Sequence, residues 1–211
     1  MNKLIFTMSL IFSLNSFAQE NKYEPVANKA EYYAVKYLPG KNYMDFRNWV
    51  MENQEKVLNK TDVYDNFDIA LFQPQFGTDL TQFDAVFLGL WPNATEMFAG
   101  MEYWAKNGGE QNAKVPVKTV QAVDTWQWAV SAPEGDPDIG VVRFSDCKMK
   151  DGVNANQVFD ALKDFAIAAK ETGDNLGRKM IFPGSGGTEG DYDYVYSLSV
   201  SYTHLRAHET E

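Results

Sequence analysis

The chain has 211 residues, of which 45% are hydrophobic and 23% are charged, and its formal net charge is −10 at pH 7. A chain of this length and apolar content can bury a substantial core in one ordinary domain or in two small ones. The excess of acidic residues argues against nucleic acid and anionic lipid as partners, because phosphate groups are bound by lysine and arginine. Cys147 is the single cysteine, so an intramolecular disulfide is excluded, and we expect a small residue at a strand end.

Residues 1–18 have the pattern of a secretory signal peptide. Lys3 supplies the positive start, residues 4–14 form a mostly apolar run, and Ser16-Phe17-Ala18 is a small-x-small cleavage site. The run is shorter than the roughly 20 apolar residues that a membrane-spanning helix needs, so we predict no membrane partner. The expected location is secreted or periplasmic.

Residues 19–130 show the pattern of a first unit with the element order βαββαβ. Apolar residues recur three and four positions apart in two stretches, which is typical of amphipathic helices. Runs rich in β-branched and aromatic residues, bounded by proline and glycine, are typical of strands. In chain order, the predicted elements are strand 32–38, helix 43–58, strand 69–72, strand 83–91, helix 94–106 and strand 117–130.

Residues 131–140 are rich in proline, glycine and aspartate, which predicts a linker, and residues 141–199 then repeat the beginning of the first unit. Three short segments recur roughly 110 residues apart in the same order, which indicates an internal duplication. The matched segments are 34–37 with 141–144, 77–79 with 187–189, and 83–87 with 192–196. The predicted elements of this second unit are strand 141–144, helix 156–170, strand 179–182 and strand 192–198. A second helix and a fourth strand are missing, so we interpret the second unit as truncated.

We interpret the last residues of the chain as no part of the natural protein. Residues 200–210 read VSYTHLRAHET, which resembles a translated adapter of DNA sequencing libraries, so we interpret 200–211 as an artefact that packs poorly. Both histidines, His204 and His208, lie in this tail. Without them we predict no metal site and no cofactor, and haem is disfavoured because its usual axial histidine is missing.

A tandem βαββαβ unit resembles the dimeric α+β barrel superfamily, which is built from ferredoxin-like units. The resemblance implies an α+β fold in which two ferredoxin-like units form a barrel-like pseudo-dimer, with a cavity between sheet and helices. We expect the first and third strands of each unit to be parallel neighbours, the helices to lie on one face, and two sheets to meet across a pseudo-two-fold axis. A fold of this kind carries no function by itself.

Aromatic residues mark the first candidate site. On strand 83–91 one face is aromatic and ends in Trp91, while the other face is aliphatic. We expect the aliphatic face to pack under the helices and the aromatic face to line the barrel, together with Trp126 and Trp128. An aromatic-walled cavity is typical of a small-molecule site, and a solid aromatic core is the alternative interpretation.

Asn93 lies where the third strand passes into a helix. It is a natural N-cap, and Glu96 three residues later would complete a capping box, so a structural role accounts for both residues. A ligand-binding role for Asn93 stays open, because such junctions often carry sites.

Two charge pairs repeat within the apolar strands. Lys36 matches Arg143 on the first strand of each copy, and Asp84 matches Asp193 on the third strand. If these strands are neighbours, each copy brings a basic residue near an acidic one. The two interpretations are exposed salt bridges, or a lysine or arginine that binds a ligand carboxylate.

The sequence therefore predicts an exported, small-molecule-binding or cofactor-independent, enzyme-like protein with an aromatic-lined cavity. The expected partner is a small apolar or aromatic molecule, and association between copies of the chain is left open. No catalytic residue is assigned. The alternative is a non-catalytic structural or interaction module with a solid barrel core.

Overall fold

The computed structural model describes residues 21–77, 79–134, 140–187 and 190–201. The predicted signal peptide and both histidines of the tail lie outside these residues. Two residues assigned to the tail, Val200 and Ser201, lie inside the last strand, where their backbones pair with Val141 and Gly140.

The described elements follow the order that the hydrophobic periodicity predicts, with most ends shifted by one to three residues. The largest difference is the first strand, which begins at Ala27 rather than at residue 32. The helices are α1 (Tyr43–Lys56), α2 (Ala94–Asn107), the short α3 (Gly109–Asn112) and α4 (Ala155–Glu171). The strands are β1 (Ala27–Tyr37), β2 (Asp68–Phe72), β3 (Ala85–Trp91), β4 (Val117–Ser131), β5 (Gly140–Cys147), β6 (Gly177–Pro183) and β7 (Tyr194–Ser201).

All seven described strands form one antiparallel sheet in the order β2-β3-β1-β4-β6-β7-β5. The predicted neighbours are confirmed, since β1 pairs with β3 and β5 pairs with β7, but the predicted parallel direction is wrong. Helix α1 returns the chain so that β2 starts from the same end of the sheet as β1. The reversal between β2 and β3 then makes β3 run opposite to β1.

The two halves of the chain share this sheet, so the expectation of two separate facing sheets is also wrong. Strand β4 pairs with β1 along one side and with β6 along the other. Its 15 residues are long enough to join both halves by backbone hydrogen bonds. The linker is therefore not the main connection between the halves.

The sheet is curled, which brings its two edge strands together. The rings of Phe72 on β2 and Phe144 on β5 have centroids 6.2 Å apart in an edge-to-face arrangement. Phe144 also contacts Tyr32 on β1, at 6.3 Å. We call the concave face that carries these rings the inner face.

The helices cover the opposite, outer face of the sheet. In the first half, Phe46 and Val50 of α1 pack on Val35 of β1 and Ala85 of β3. In the second half, the buried residues of α4 and the sheet are Val130, Phe159, Ala166, Met180 and Tyr194. No helix within the described part of the chain has the length and apolar character to cross a membrane.

The two faces of β3 are opposite to the prediction. Ala85, Phe87 and Trp91 lie under the helices, and Val86, Leu88 and Leu90 lie on the inner face. The reason is steric: Gly100 of α2 leaves the room that the Trp91 indole occupies, since a Cβ added at Gly100 would lie 2.0 Å from Cη2 of Trp91.

Candidate functional site

A cavity of about 350 Å³ lies between the first half of the sheet and helices α1 and α2. We call it the helix-side cavity. Such a volume is typical of small-molecule sites, which are mostly apolar with a few polar groups. Its walls include eight aromatic side chains besides aliphatic ones: Tyr33, Phe46, Trp49, Tyr64, Phe67, Phe87, Trp91 and Trp104. Only a few of its lining residues carry polar groups, and these are the candidates for ligand recognition.

Glu31 contributes a carboxylate to this cavity. It lies on the outer face of β1 and accepts hydrogen bonds from Tyr33 Oη at 2.8 Å and from Trp91 Nε1 at 3.2 Å. Burial raises the pKa of Glu31 above its ordinary value, and the two hydrogen bonds oppose that shift only in part. The carboxyl group is therefore held in place by two aromatic donors in a setting that disfavours its charge.

Tyr64 lies beside Glu31 and closes another part of the wall. Its hydroxyl donates a 2.6 Å hydrogen bond to the backbone carbonyl of Gly100, and its ring lies 5.5 Å from that of Trp91. Burial, with a smaller contribution from the charge of Glu31, raises the pKa of Tyr64 to about 12. Tyr64 is thus a neutral hydrogen-bonding group at physiological pH.

Asn53 of α1 lines the cavity and lacks a hydrogen-bond partner for its side-chain oxygen, Oδ1, among the described residues. Its side chain is buried. Buried polar atoms are paired in the great majority of cases, so an unpaired acceptor on a residue that lines a cavity is a candidate ligand contact. Gln111 has a similar unpaired Oε1, but it does not line the cavity.

Trp91 is the predicted candidate that the structure places in this wall. Its side chain is buried, and its ring lies 4.1 Å from that of Phe67. Trp91 also donates to Glu31, so the aromatic wall and the carboxylate form one connected group.

Asn93 lies outside the cavity and caps α2. Its Oδ1 accepts from the backbone N–H of Glu96 at 3.0 Å, and its Nδ2 donates to the Glu96 carboxylate at 2.9 Å. The N-cap predicted from the sequence is therefore present, but the predicted capping box is not, because the Glu96 carboxylate accepts from the side-chain amide of Asn93 instead of its backbone N–H.

Trp126 and Trp128 share the outer face of β4 but do not line the helix-side cavity. Trp126 is 40% exposed and lies under the ammonium group of Lys29, which is 4.6 Å from the ring centroid. Trp128 packs in the second half against Phe159 and Phe182. The two indoles therefore do not form the common site that their spacing suggests.

The repeated charges are arranged differently from the prediction. The carboxylate of Asp84 accepts from the backbone N–H of Tyr37 at 2.8 Å, and Asp193 accepts from the N–H of Met149 at 2.6 Å. Neither of the expected pairs, Lys36 with Asp84 or Arg143 with Asp193, is among the ion pairs of the described residues.

These contacts show why the pairs do not form. The backbone N–H of Asp84 donates to Val35 and that of Asp193 to Cys147, so the two aspartates make matching contacts with β1 and β5. In this register Lys36 corresponds to Lys148, whereas Arg143 lies opposite Leu198, far along the strand. Lys36 and Arg143 are both exposed.

The sequence reasoning missed Glu31, Asn53 and Tyr64. One signal was present: Glu31 is the single carboxylate of β1 and directly precedes two tyrosines, and a carboxylate within a strand is buried only with partners. Asn53 and Tyr64 gave no comparable signal, because amphipathic helices and turns commonly carry such residues.

The described residues do not suit a metal ion or a haem. No group of three His, Cys, Asp or Glu side chains within them could hold a metal. Histidine, which is the usual axial ligand of haem, is absent from residues 21–201. No chemistry through either group follows from this arrangement.

Solved structures with a similar arrangement include chlorite dismutases. A variant of the enzyme from Candidatus Nitrospira defluvii is 9% identical, with a TM-score of 0.49, covering 89% of this chain and 84% of that chain. The same enzyme in complex with imidazole is 8% identical, with a TM-score of 0.47 and the same coverage. A protein provisionally described as a chlorite dismutase is 12% identical, with a TM-score of 0.46, covering 87% of this chain and 85% of that chain.

No protein-family model matches the chain, and no curated protein matches its sequence. At such low identity the likeness to the solved structures concerns the fold alone. The predicted α+β class is confirmed by the curled antiparallel sheet and the helices on its outer face, and the likeness to dimeric α+β barrel proteins of the ferredoxin-like kind stays a resemblance.

Proposed function

We propose that the protein binds a small aromatic molecule in the helix-side cavity. The observation that carries the proposal is a cavity of about 350 Å³ with aromatic walls and a buried acceptor, Asn53 Oδ1, that has no partner among the described residues. An occupant of the cavity would bury apolar surface against these walls. The proposal concerns binding, and no catalytic group is assigned.

The polar groups of the helix-side cavity indicate which chemical group the ligand presents to them. Asn53 offers an unpaired acceptor, and the Glu31 carboxylate accepts from Tyr33 and Trp91 with oxygen lone pairs to spare. A ligand that carries an N–H or O–H group on its ring would supply the missing donor. Indole is a suitable probe, because it combines an aromatic surface with a single N–H.

Isothermal titration with indole tests this proposal. We expect Asn53→Leu to weaken indole binding roughly three- to tenfold, since a neutral hydrogen bond contributes about 1 kcal/mol. Binding of naphthalene, which has no N–H, should stay the same or improve.

Gln111→Leu is the matched control, because it removes a buried side-chain amide with an unpaired oxygen outside the lining and keeps the backbone carbonyl that accepts from Trp49 Nε1. It should leave both affinities unchanged. If neither indole nor naphthalene binds to the wild-type protein or raises its melting temperature, the interaction module with a solid core becomes the better description.

We also propose that the chain arose by tandem duplication of a ferredoxin-like unit. The strand order β2-β3-β1-β4 of the first half has its counterpart in β6-β7-β5 of the second, and Asp84 and Asp193 make matching backbone contacts. The truncation of the second unit stays a prediction from the sequence.

Export is the remaining proposal, and its support is the pattern of residues 1–18. Expression of the full chain in a bacterium with periplasmic fractionation, followed by N-terminal sequencing, should give a mature protein that begins at Gln19. Recovery of the chain in the cytoplasm with Met1 intact would refute it.

A further inference from the structure

A second cavity lies on the inner face of the sheet, separate in chemistry from the helix-side cavity. Its volume is about 320 Å³, and its lining includes Asn28, Asn66, Asp68, Gln127 and Lys179. Three of these are amides, and Lys179 and Asp68 bear opposite charges. Leu90 and Pro92 supply apolar wall. A polar cavity with one amine and one carboxylate differs from the aromatic site described above.

Lys179 enters this cavity from the middle of the sheet. It lies on β6 between Ala129 of β4 and Ser197 of β7, so its stem is flanked by strands on both sides. Burial lowers the pKa of Lys179 below its ordinary value, and the charge of Asp68 opposes this shift without cancelling it. At a given pH, the Lys179 amine is therefore neutral in a larger fraction of molecules than the amine of an exposed lysine.

The amine is held by a chain of hydrogen bonds. Lys179 Nζ donates to Gln127 Oε1 at 3.1 Å, and Gln127 Nε2 donates to Tyr32 Oη at 2.6 Å. Gln127 is almost fully buried, at 1% exposure, so it is a fixed support. A neutral amine can donate to Gln127 and still present its lone pair elsewhere.

Lys179, which is half-buried, is also distinct from Lys29, the buried lysine of β1. Lys29 forms an ion pair with Asp124 and lies over the ring of Trp126, so its amine is paired with a carboxylate. Lys179 is not among the ion pairs of the described residues, although Asp68 lines the same cavity. Its partner is an uncharged amide, which leaves it available for reaction.

We propose that Lys179 is a nucleophile that forms an imine with a small aldehyde or ketone in the inner-face cavity. A neutral lysine in a desolvated site is the group that performs this chemistry in proteins. The Nζ lone pair attacks the carbonyl carbon and forms a C–N bond. The carbonyl oxygen then leaves as water with the two amine protons, and Asp68 is the carboxylate in the cavity that can accept and return a proton.

Reductive trapping tests the proposal. The intact protein is treated with benzaldehyde, at less than one equivalent, and sodium cyanoborohydride at neutral pH, and the benzylated lysines are mapped by mass spectrometry. Lys179 should be labelled several-fold more than exposed Lys60 and more than Lys29. In Lys179→Met, a melting temperature close to that of the wild type shows that the protein is folded. Its total labelling should fall to the amount that the other lysines contribute in the wild type.

The same experiment in urea separates a folded site from a local sequence effect. The preference for Lys179 should disappear when the protein is unfolded, because the cavity then no longer exists. Labelling of Lys179 that does not exceed that of Lys60, or a preference that persists in urea, would overturn the proposal.

Discussion

Glu31 is a partly buried carboxyl group whose protonation should couple to folding. Its pKa is raised in the folded state above the ordinary value of 4.5, so the folded protein holds this proton at pH values where the unfolded chain has lost it. Its contribution to the free energy of unfolding is therefore lost as the pH rises above 4.5 through the raised pKa.

The variant Glu31→Gln should remove this dependence. We expect the free energy of unfolding of the variant, measured by urea denaturation across about pH 4–7, to increase relative to that of the wild type as the pH rises. The exposed Glu24→Gln is the control and should keep the wild-type slope. If the free energy of unfolding depends on pH in Glu31→Gln as it does in the wild type, the Glu31 carboxyl group does not contribute to that dependence.

Asp84 should be important for stability rather than for ligand binding. Its carboxylate accepts the backbone N–H of Tyr37, which would otherwise be left without this partner. Asp84→Ala is expected to lower the free energy of unfolding by about 1–2 kcal/mol in urea denaturation, with ligand affinity unchanged. The exposed Asp65→Ala should change it by less than about 0.5 kcal/mol.

The alignment of Lys36 with Arg143 in the sequence repeat is a prediction that the sequence could not make correctly. Each is the single charged residue of a short apolar run, residues 34–37 and 141–144, and such runs can be aligned in more than one register. The true register is set by Asp84 and Asp193 contacting Val35 and Cys147, which no local pattern reveals. Asn93 was predictable because an N-cap depends only on its near neighbours.

At the scale of elements, the packing of β3 on α2 depends on Gly100. A Cβ there would meet the Trp91 ring at 2.0 Å, so Gly100→Ala must displace the indole or the helix. We expect a loss of roughly 1–3 kcal/mol in thermal or urea unfolding, together with weaker indole binding.

Gly109→Ala provides the matched control for this substitution. A Cβ at Gly109 meets nothing within 4 Å, and the residue begins the short helix α3. It should be neutral or slightly stabilising, since alanine is the better helix former. Equal losses in both variants would show that the Trp91 contact is not the cause.

The elements themselves were largely predictable, whereas their directions and faces were not. Periodicity identifies helices such as α4 because it depends on neighbours within one element. The strand direction of β3 depends on the path through α1 and β2, and its buried face depends on Gly100 accepting a large ring. These are contacts between elements, which a periodic pattern within one element does not specify.

For the whole molecule, the curl of the sheet should depend on the contact between its edges. Phe72 and Phe144 belong to opposite edge strands, with centroids 6.2 Å apart. A double-mutant cycle with Phe72→Ala and Phe144→Ala should give a coupling energy of about 0.5–1.5 kcal/mol in urea denaturation.

Phe76 supplies the comparison, because it is 97% exposed. The cycle of Phe76→Ala with Phe144→Ala should be additive within about 0.5 kcal/mol. Additivity in the Phe72 cycle as well would indicate that the edges do not support one another. This contact was not predictable from the sequence, since it joins the two strands that are furthest apart in the sheet.

The position of β4 between β1 and β6 has a consequence for how the protein unfolds. Each half uses this one strand as a hydrogen-bonding partner, so neither half can melt without exposing a row of backbone amides of the other. The amides in the middle of β4 should therefore exchange with solvent only through global opening, and both halves should unfold in a single cooperative transition. A repeated sequence has in this way become one thermodynamic unit, in which the two copies no longer have separate stabilities.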